Sequence, residues 1–263
     1  MEKQNKHTFI YWDRVVIALC IFVLIIIFIV TGIKGIINAF TGDNQSDVAR
    51  VANTGKMVIG PGQSLLVCID AGHGGKEDCG AISNDETRFE CDDDLNMAFA
   101  VEKHLNELGA DVLMTRNDDE YVDLYSRPET ANDADADLYV SIHRNSAETG
   151  QGFEVWVNYD APDDDTLLAK NILDGLDKVG ISQNRGVHFG YQGYDPTAKV
   201  NYVVNEKSNM PSCLVELGFI TNDEDNKLFD ENLDAYAESI AKSIVKSAEE
   251  LNIIETSNKA VEN

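Results

Sequence analysis

The chain has 263 residues, 43% hydrophobic and 25% charged, a balance that excludes disorder throughout and excludes collagen-like or low-complexity architecture. Asp and Glu number 46 against 21 Lys and Arg, a formal charge of −25. Such a surface repels phosphate backbones and excludes nucleic acid as a partner. Five cysteines are too few for a disulfide-built scaffold.

In chain order, the first element is an anchor. Residues 1–14 carry Lys3, Lys6 and Arg14, and every residue from Val15 to Val30 is apolar. No charge interrupts Val15–Ile33 before Lys34, a run of about 28 Å as a helix, close to the hydrocarbon core of a bilayer. The run lacks the amphipathic stripe of a core helix. It also exceeds the apolar core of a cleaved signal peptide and ends without a small-x-small site. We therefore expect one uncleaved transmembrane signal anchor at 15–33. The flanking basic residues keep 1–14 in the cytoplasm and place the remainder outside, on the cell-wall side of a single-pass membrane protein. Residues 34–63 then read as a spacer that includes Gly60-Pro61-Gly62.

From Leu65 onward, strand and helix patterns alternate. Leu65–Ile69 reads as a buried strand, and Leu95, Ala98, Val101, Leu105 and Leu108 as one face of a helix that stops at Gly109. Asp92, Asp93 and Asp94 precede that helix, where negative charge suits the positive end of its dipole. Asp111–Thr115, Leu138–His143 and Phe153–Val157 read as strands. Leu168, Ile172, Leu176 and Val179 mark a helix, Val200–Val204 and Cys213–Glu216 further strands, and Leu233–Leu251 a closing helix. The alternation predicts an α/β domain over 64–252 with a largely parallel sheet, followed by a tail at 253–263. In such sheets, ligand-binding groups gather where strands end.

Four residues stand near such ends. His73 lies in Ile69-Asp70-Ala71-Gly72-His73-Gly74-Gly75, whose glycines clear space around the imidazole. Glu90 stands two residues ahead of the aspartates, His143 closes Ser141-Ile142-His143, and Glu216 interrupts the apolar run Cys213–Ile220. Singly, each has an ordinary structural explanation: a glycine-rich turn, a solvated carboxylate, a satisfied histidine. A carboxylate inside so apolar a run, however, requires a metal, a cation or catalytic duty. Together, two histidines and one carboxylate form a zinc-type donor set with a free position for water, beside a second glutamate able to carry a proton. The residues thus point to a metal-dependent amide or ester hydrolase.

Those segments, with Gly80-Ala81, Thr115-Arg116, Arg127, Ala131-Asn132 and Val215–Asn222, stand in the order of a known family. From about Ser64 to Leu251 the chain resembles the zinc-dependent N-acetylmuramoyl-L-alanine amidases of the Amidase_3 family. The resemblance implies a mixed, mainly parallel sheet flanked by helices on both faces. It implies zinc (Zn2+) held by His73, Glu90 and His143, with Glu216 as catalytic acid/base. The implied substrate is peptidoglycan, cut at the amide between the N-acetylmuramic acid lactyl group and L-alanine. Cys91 stands where the family usually has lysine, and the loop Lys76–Cys79 is one residue longer than usual. Two other readings remain: a zinc peptidase cutting within the stem peptide, and a non-catalytic wall-binding module on the same fold. No protein partner is indicated.

Among the remaining residues, Arg144, Asn145 and His188 are candidate substrate contacts, and His104 is expected to be solvated. Cys68 and Cys213 are expected in buried strands. Cys79 and Cys91 stand equally open to a bridge or to two separate thiols.

Overall fold

The structure, a computed structural model, describes residues 59–191 and 199–255. The tail 1–14, the predicted membrane anchor 15–33 and most of the spacer 34–63 lie outside the described residues. No described helix is long and apolar enough to cross a membrane.

Six strands form one sheet: β1 (Leu66–Ala71), β2 (Asp111–Met114), β3 (Leu138–Asn145), β4 (Phe153–Val157), β5 (Asn184–Phe189) and β6 (Ser212–Phe219), in the order β2-β1-β3-β6-β4-β5. β2, β1, β3 and β6 run parallel; β4 meets β6 antiparallel and β5 parallel. The expected mixed, mainly parallel α/β sheet is therefore present. Among the described residues five helices accompany it: α1 (Glu90–Leu108), α2 (Ser126–Asp133), α3 (Asp163–Val179), α4 (Val203–Lys207) and α5 (Asp223–Glu250).

The alternation of side chains along each strand divides the sheet into two unlike faces. Val67, Ile69, Val140, Ile142, Val155, Val215 and Leu217 point to one face. There they meet Leu105 of α1, Leu176 of α3 and Ile240 and Ile244 of α5 in a single buried cluster. Each such side chain contributes about 1.5–3 kcal/mol through burial. Cys68, Tyr139, Trp156 and Leu214 point the other way and join Ala131 of α2, Val204 of α4 and Ala136 in a smaller cluster. Asp70, Ser141, His143, Glu154 and Glu216 alternate onto this thinly covered face.

Several elements differ from expectation for identifiable reasons. α1 opens on Glu90 itself, so Glu90 is a helical residue and not part of the preceding loop. Val200–Val204, read as a strand, instead leads into the short helix α4, because a brief apolar run has no decisive period. α5 begins ten residues before Leu233, because the Asn222 side chain accepts from the backbone N–H groups of Glu224 and Asp225 and caps it there. His104 is buried, not solvated: α5 packs over α1 and Asp234 Oδ1 lies 2.9 Å from His104 Nε2. Ile59, within the predicted spacer, and Ile254, within the predicted tail, both join the core. Cys68 and Cys213 are buried as expected. Cys79 and Cys91 are free thiols in segments that meet by a backbone hydrogen bond, Cys91 N–H to the Cys79 carbonyl at 3.2 Å.

Candidate metal centre and catalytic cleft

β1 delivers the chain into the turn Gly72-His73-Gly74, where His73 takes the left-handed φ of 53°. A side chain rarely adopts that conformation without outside support, and two buried arginines supply it here. Arg116 donates to the carbonyls of Ala71 (3.0 Å), Gly72 (2.7 Å) and Cys91 (2.8 Å). Arg127 donates to the carbonyls of Ala71 (2.7 Å) and His73 (2.7 Å). Arg127 is itself held by Asp70, which also accepts from Thr115 (2.6 Å) and Ser141 (2.5 Å). Burial opposes charge on Asp70, yet Arg127 and the two hydroxyl donors overcome it and hold its carboxyl below the ordinary range.

The turn brings His73 against Glu90 at the start of α1, with Nε2 3.2 Å from Oε1. His143 reaches the same oxygen from β3, Nδ1 to Oε1 at 3.0 Å, and the two imidazoles meet edge to face with centroids 4.9 Å apart. Glu90 is fixed further by the backbone N–H groups of Ala81 (2.7 Å) and Arg144 (3.1 Å). Burial raises the cost of ionising Glu90, but the hydrogen bonds and charges of His143 and His73 outweigh it and lower its pKa. The other nitrogen of His73, Nδ1, is oriented by Asp78 Oδ1 at 2.7 Å, the carboxylate–histidine arrangement that fixes a metal-binding imidazole. Asp94, one helical turn beyond Glu90, brings a further carboxylate oxygen to 3.9 Å from His143 Nδ1. One donor atom from each of His73, Glu90, Asp94 and His143 lies within 4.8 Å of the others. Two imidazoles with carboxylates are donors suited to zinc. The orphaned oxygens of the buried Asp94 suit a cation as well.

Glu216 sits beside His143 in the β3–β6 register, 6% exposed, and its Oε2 has no hydrogen-bond partner. Burial, then the charges of Glu90 and Glu154, push its pKa well above the ordinary carboxylate value. Glu154 lies opposite Glu216 on β4 and accepts from Asn145 Nδ2 (2.7 Å), Trp156 Nε1 (3.0 Å) and Arg185 Nε (2.5 Å). His73, Glu90, His143 and Glu216 line a cleft of about 580 Å³, whose wall also includes Tyr121, Leu124, Tyr191 and Tyr202.

His73, Glu90, His143 and Glu216, four sequence-predicted site residues, thus converge on one cleft. The candidate substrate contacts are placed differently. Arg144 lines the cleft, but its guanidinium is buried, bound to Asp93 (2.5 Å) and Asn226 (2.6 Å) and laid 4.3 Å over Phe229. Asn145 lines the cleft but is 3% exposed and holds Glu154. His188 stacks on Trp156 at 4.7 Å, outside the residues lining the cleft. The sequence reading missed Asp78, Asp94 and Glu154. Only Asp94 carried a signal, its four-residue spacing from Glu90 on a helix. Burial and the nearby charges of Asp92 and Asp119 raise the Cys91 thiol to about 11, which disfavours a thiolate nucleophile beside the cluster.

Two histidines and two carboxylates that could hold a metal ion, gathered at the ends of the parallel strands beside a buried glutamate in a cleft, are the kind of constellation found in hydrolases of the α/β class. Comparison narrows that class. Residues 67–250 match the family model for N-acetylmuramoyl-L-alanine amidase, Amidase_3. YqiI of Bacillus subtilis is 37% identical over 188 residues, covering 70% of this chain and 84% of the relative. The probable cell wall amidase LytH of Staphylococcus aureus is 33% identical over 174 residues, covering 66% of this chain and 54% of LytH, so the chain spans about half the length of that relative. The structure of the N-acetylmuramoyl-L-alanine amidase AmiC2 of Nostoc punctiforme superposes with a TM-score of 0.61 at 33% identity, covering 70% of this chain and 97% of that one. The chain belongs to the N-acetylmuramoyl-L-alanine amidase family and is an amidase.

Proposed function

We propose that the chain is a zinc-dependent N-acetylmuramoyl-L-alanine amidase that hydrolyses the amide between the lactyl group of N-acetylmuramic acid and L-alanine in peptidoglycan. The observation that carries this reading is the meeting of His73 and His143 on one oxygen of Glu90, with Glu216 alongside. His73, Glu90 and His143 would hold the ion. Zinc supplies Lewis acidity, which polarises a carbonyl and acidifies water. Glu216 takes the proton from the attacking water and returns it to the L-alanine nitrogen as the C–N bond breaks, leaving, once the second proton of the water has passed to the amine, a lactyl carboxylate and an L-alanine ammonium. Its buried, negatively surrounded position favours holding a proton, which suits a group that carries one between two steps. Asp78 keeps the His73 ring in place. The reading extends to location: the apolar run Val15–Ile33 anchors the chain in the membrane, and the catalytic domain faces the cell wall.

The test is digestion of purified peptidoglycan by the full chain, with products separated by mass. Peptide-free glycan and peptides with a new L-alanine amino terminus are expected; cleavage confined to the stem peptide would refute the reading. Glu216→Gln is expected to retain zinc while these products fall by at least about a hundredfold. Protease accessibility of the domain in intact cells stripped of wall tests the orientation, and protection would contradict it.

A further inference from the structure

Asp94 is a buried carboxylate with nothing assigned to it. It is fully enclosed, at 0% exposure, and neither side-chain oxygen has a hydrogen-bond partner among the described residues. An ionised carboxylate in that condition is costly unless a cation completes it.

The neighbouring guanidinium groups do not supply the cation's hydrogen bonds. Arg116 directs its donors to the carbonyls of Ala71, Gly72, Cys91 and Asp118. Arg144 directs its own to Asp93, Asn226 and the Gly218 carbonyl. The Asp94 carboxylate instead faces the imidazole cluster, 3.9 Å from His143 Nδ1. Two features of the chain produce this approach. Glu90 and Asp94 are four residues apart on α1 and so project from one side of the helix. Gly72 leaves the space between carboxylate and imidazole open: a Cβ there would lie 2.7 Å from both Asp94 Oδ2 and His143 Nδ1.

From these observations we infer that Asp94 is a fourth protein donor to the ion, making the centre a two-histidine, two-carboxylate site. The inference rests on the metal centre proposed above and adds a ligand to it. Two carboxylates neutralise a divalent ion within the protein. Asp92, exposed on the same helical turn, has the same charge without the geometry.

The decisive measurement is zinc affinity, read by competition with a chromophoric chelator on the full-length chain stripped of metal. Asp94→Asn is expected to weaken zinc binding by at least about tenfold relative to Asp92→Asn, the scale seen when the surroundings of a metal ligand are altered. A loss below tenfold relative to that control overturns the inference. The crystal structure of the zinc-loaded wild-type chain gives an independent answer should Asp94→Asn fail to fold. An Asp94 oxygen at about 2.0–2.2 Å from zinc supports the assignment, and one held off by an intervening water or by more than 3 Å overturns it. If wild-type binding depends on His143 but not on Asp94, only this inference falls. If the wild-type chain takes up no zinc, the proposed metal chemistry falls with it.

Discussion

The two faces of the sheet are built on opposite principles. One is covered by three helices of 17 to 28 residues and packed almost entirely with aliphatic side chains. The other has two helices of 8 and 5 residues and buries Asp70, Ser141, Glu154 and Glu216 beneath them. Strand alternation makes the division possible: the same β3 sends Val140 and Ile142 into the dry core and Ser141 and His143 to the chemistry. The lesson is that the aliphatic face supplies stability, so the other face can hold an unpartnered buried carboxyl oxygen, a strained histidine and an open cleft.

Substitutions on the two faces should therefore separate stability from activity. The largest effect is that of Glu216→Gln, whose loss of turnover should come with little change in unfolding free energy; a large loss of stability would blur the division. Next comes Asp70→Ala, which strands the buried Arg127 and is expected to cost about 3–5 kcal/mol in denaturant unfolding. It should also lower activity per folded molecule, because Arg127 supports the His73 carbonyl. Leu105→Ala on the aliphatic face is expected to cost about 3 kcal/mol through the cavity it leaves. Activity per folded molecule should be unchanged there, and a parallel loss would show the faces to be coupled.

The smallest effect concerns pH. Burial, reinforced by Asp164, raises Asp165 to about 6. Its folded-state pKa thus exceeds the unfolded value of about 3.9, so the native state binds the extra proton. The stability this contributes is complete below the unfolded pKa and is lost as pH rises through about 6. Asp165→Asn keeps an oxygen to accept the Ser212 N–H and removes the titration. Its stability relative to wild type should climb between pH 4 and 7 and then level off; a flat difference would contradict the assigned cause.

Much of this division was legible in the sequence. Phe153–Val157 matches β4, and Gly109 ends α1 because glycine readily takes the left-handed φ of 90° found there. The alternation of Ser141 and His143 against Ile142 placed His143 on the face where the cleft lies. β5 was not legible, since Arg185-Gly186-Val187-His188 at the sheet edge has too few apolar residues to show a period. α2 was hidden for the same reason, with only Arg127, Pro128 and Ala131 buried.

The site was legible as a set of candidate residues that meet in one cleft but not as a network. Three consecutive aspartates read as helix-dipole charges have three different fates. Asp92 faces solvent, Asp93 pairs with Arg88 and Arg144, and Asp94 turns to the imidazoles. The partners that distinguish them come from residues up to 51 positions away, a distance over which local pattern carries no information. Arg144 shows the converse: adjacent to His143 in sequence, its guanidinium is turned inward by Asp93, Asn226 and Phe229.

Glu90 divides its oxygens between side chains and two main-chain amides, those of Ala81 and Arg144. These amides are built-in reporters. Any event that draws electron density from the carboxylate must register in their proton chemical shifts, and any event that tightens its hold must slow their exchange with deuterium. Occupancy of the centre can thus be followed at two backbone positions in solution, with no substrate present and no turnover required.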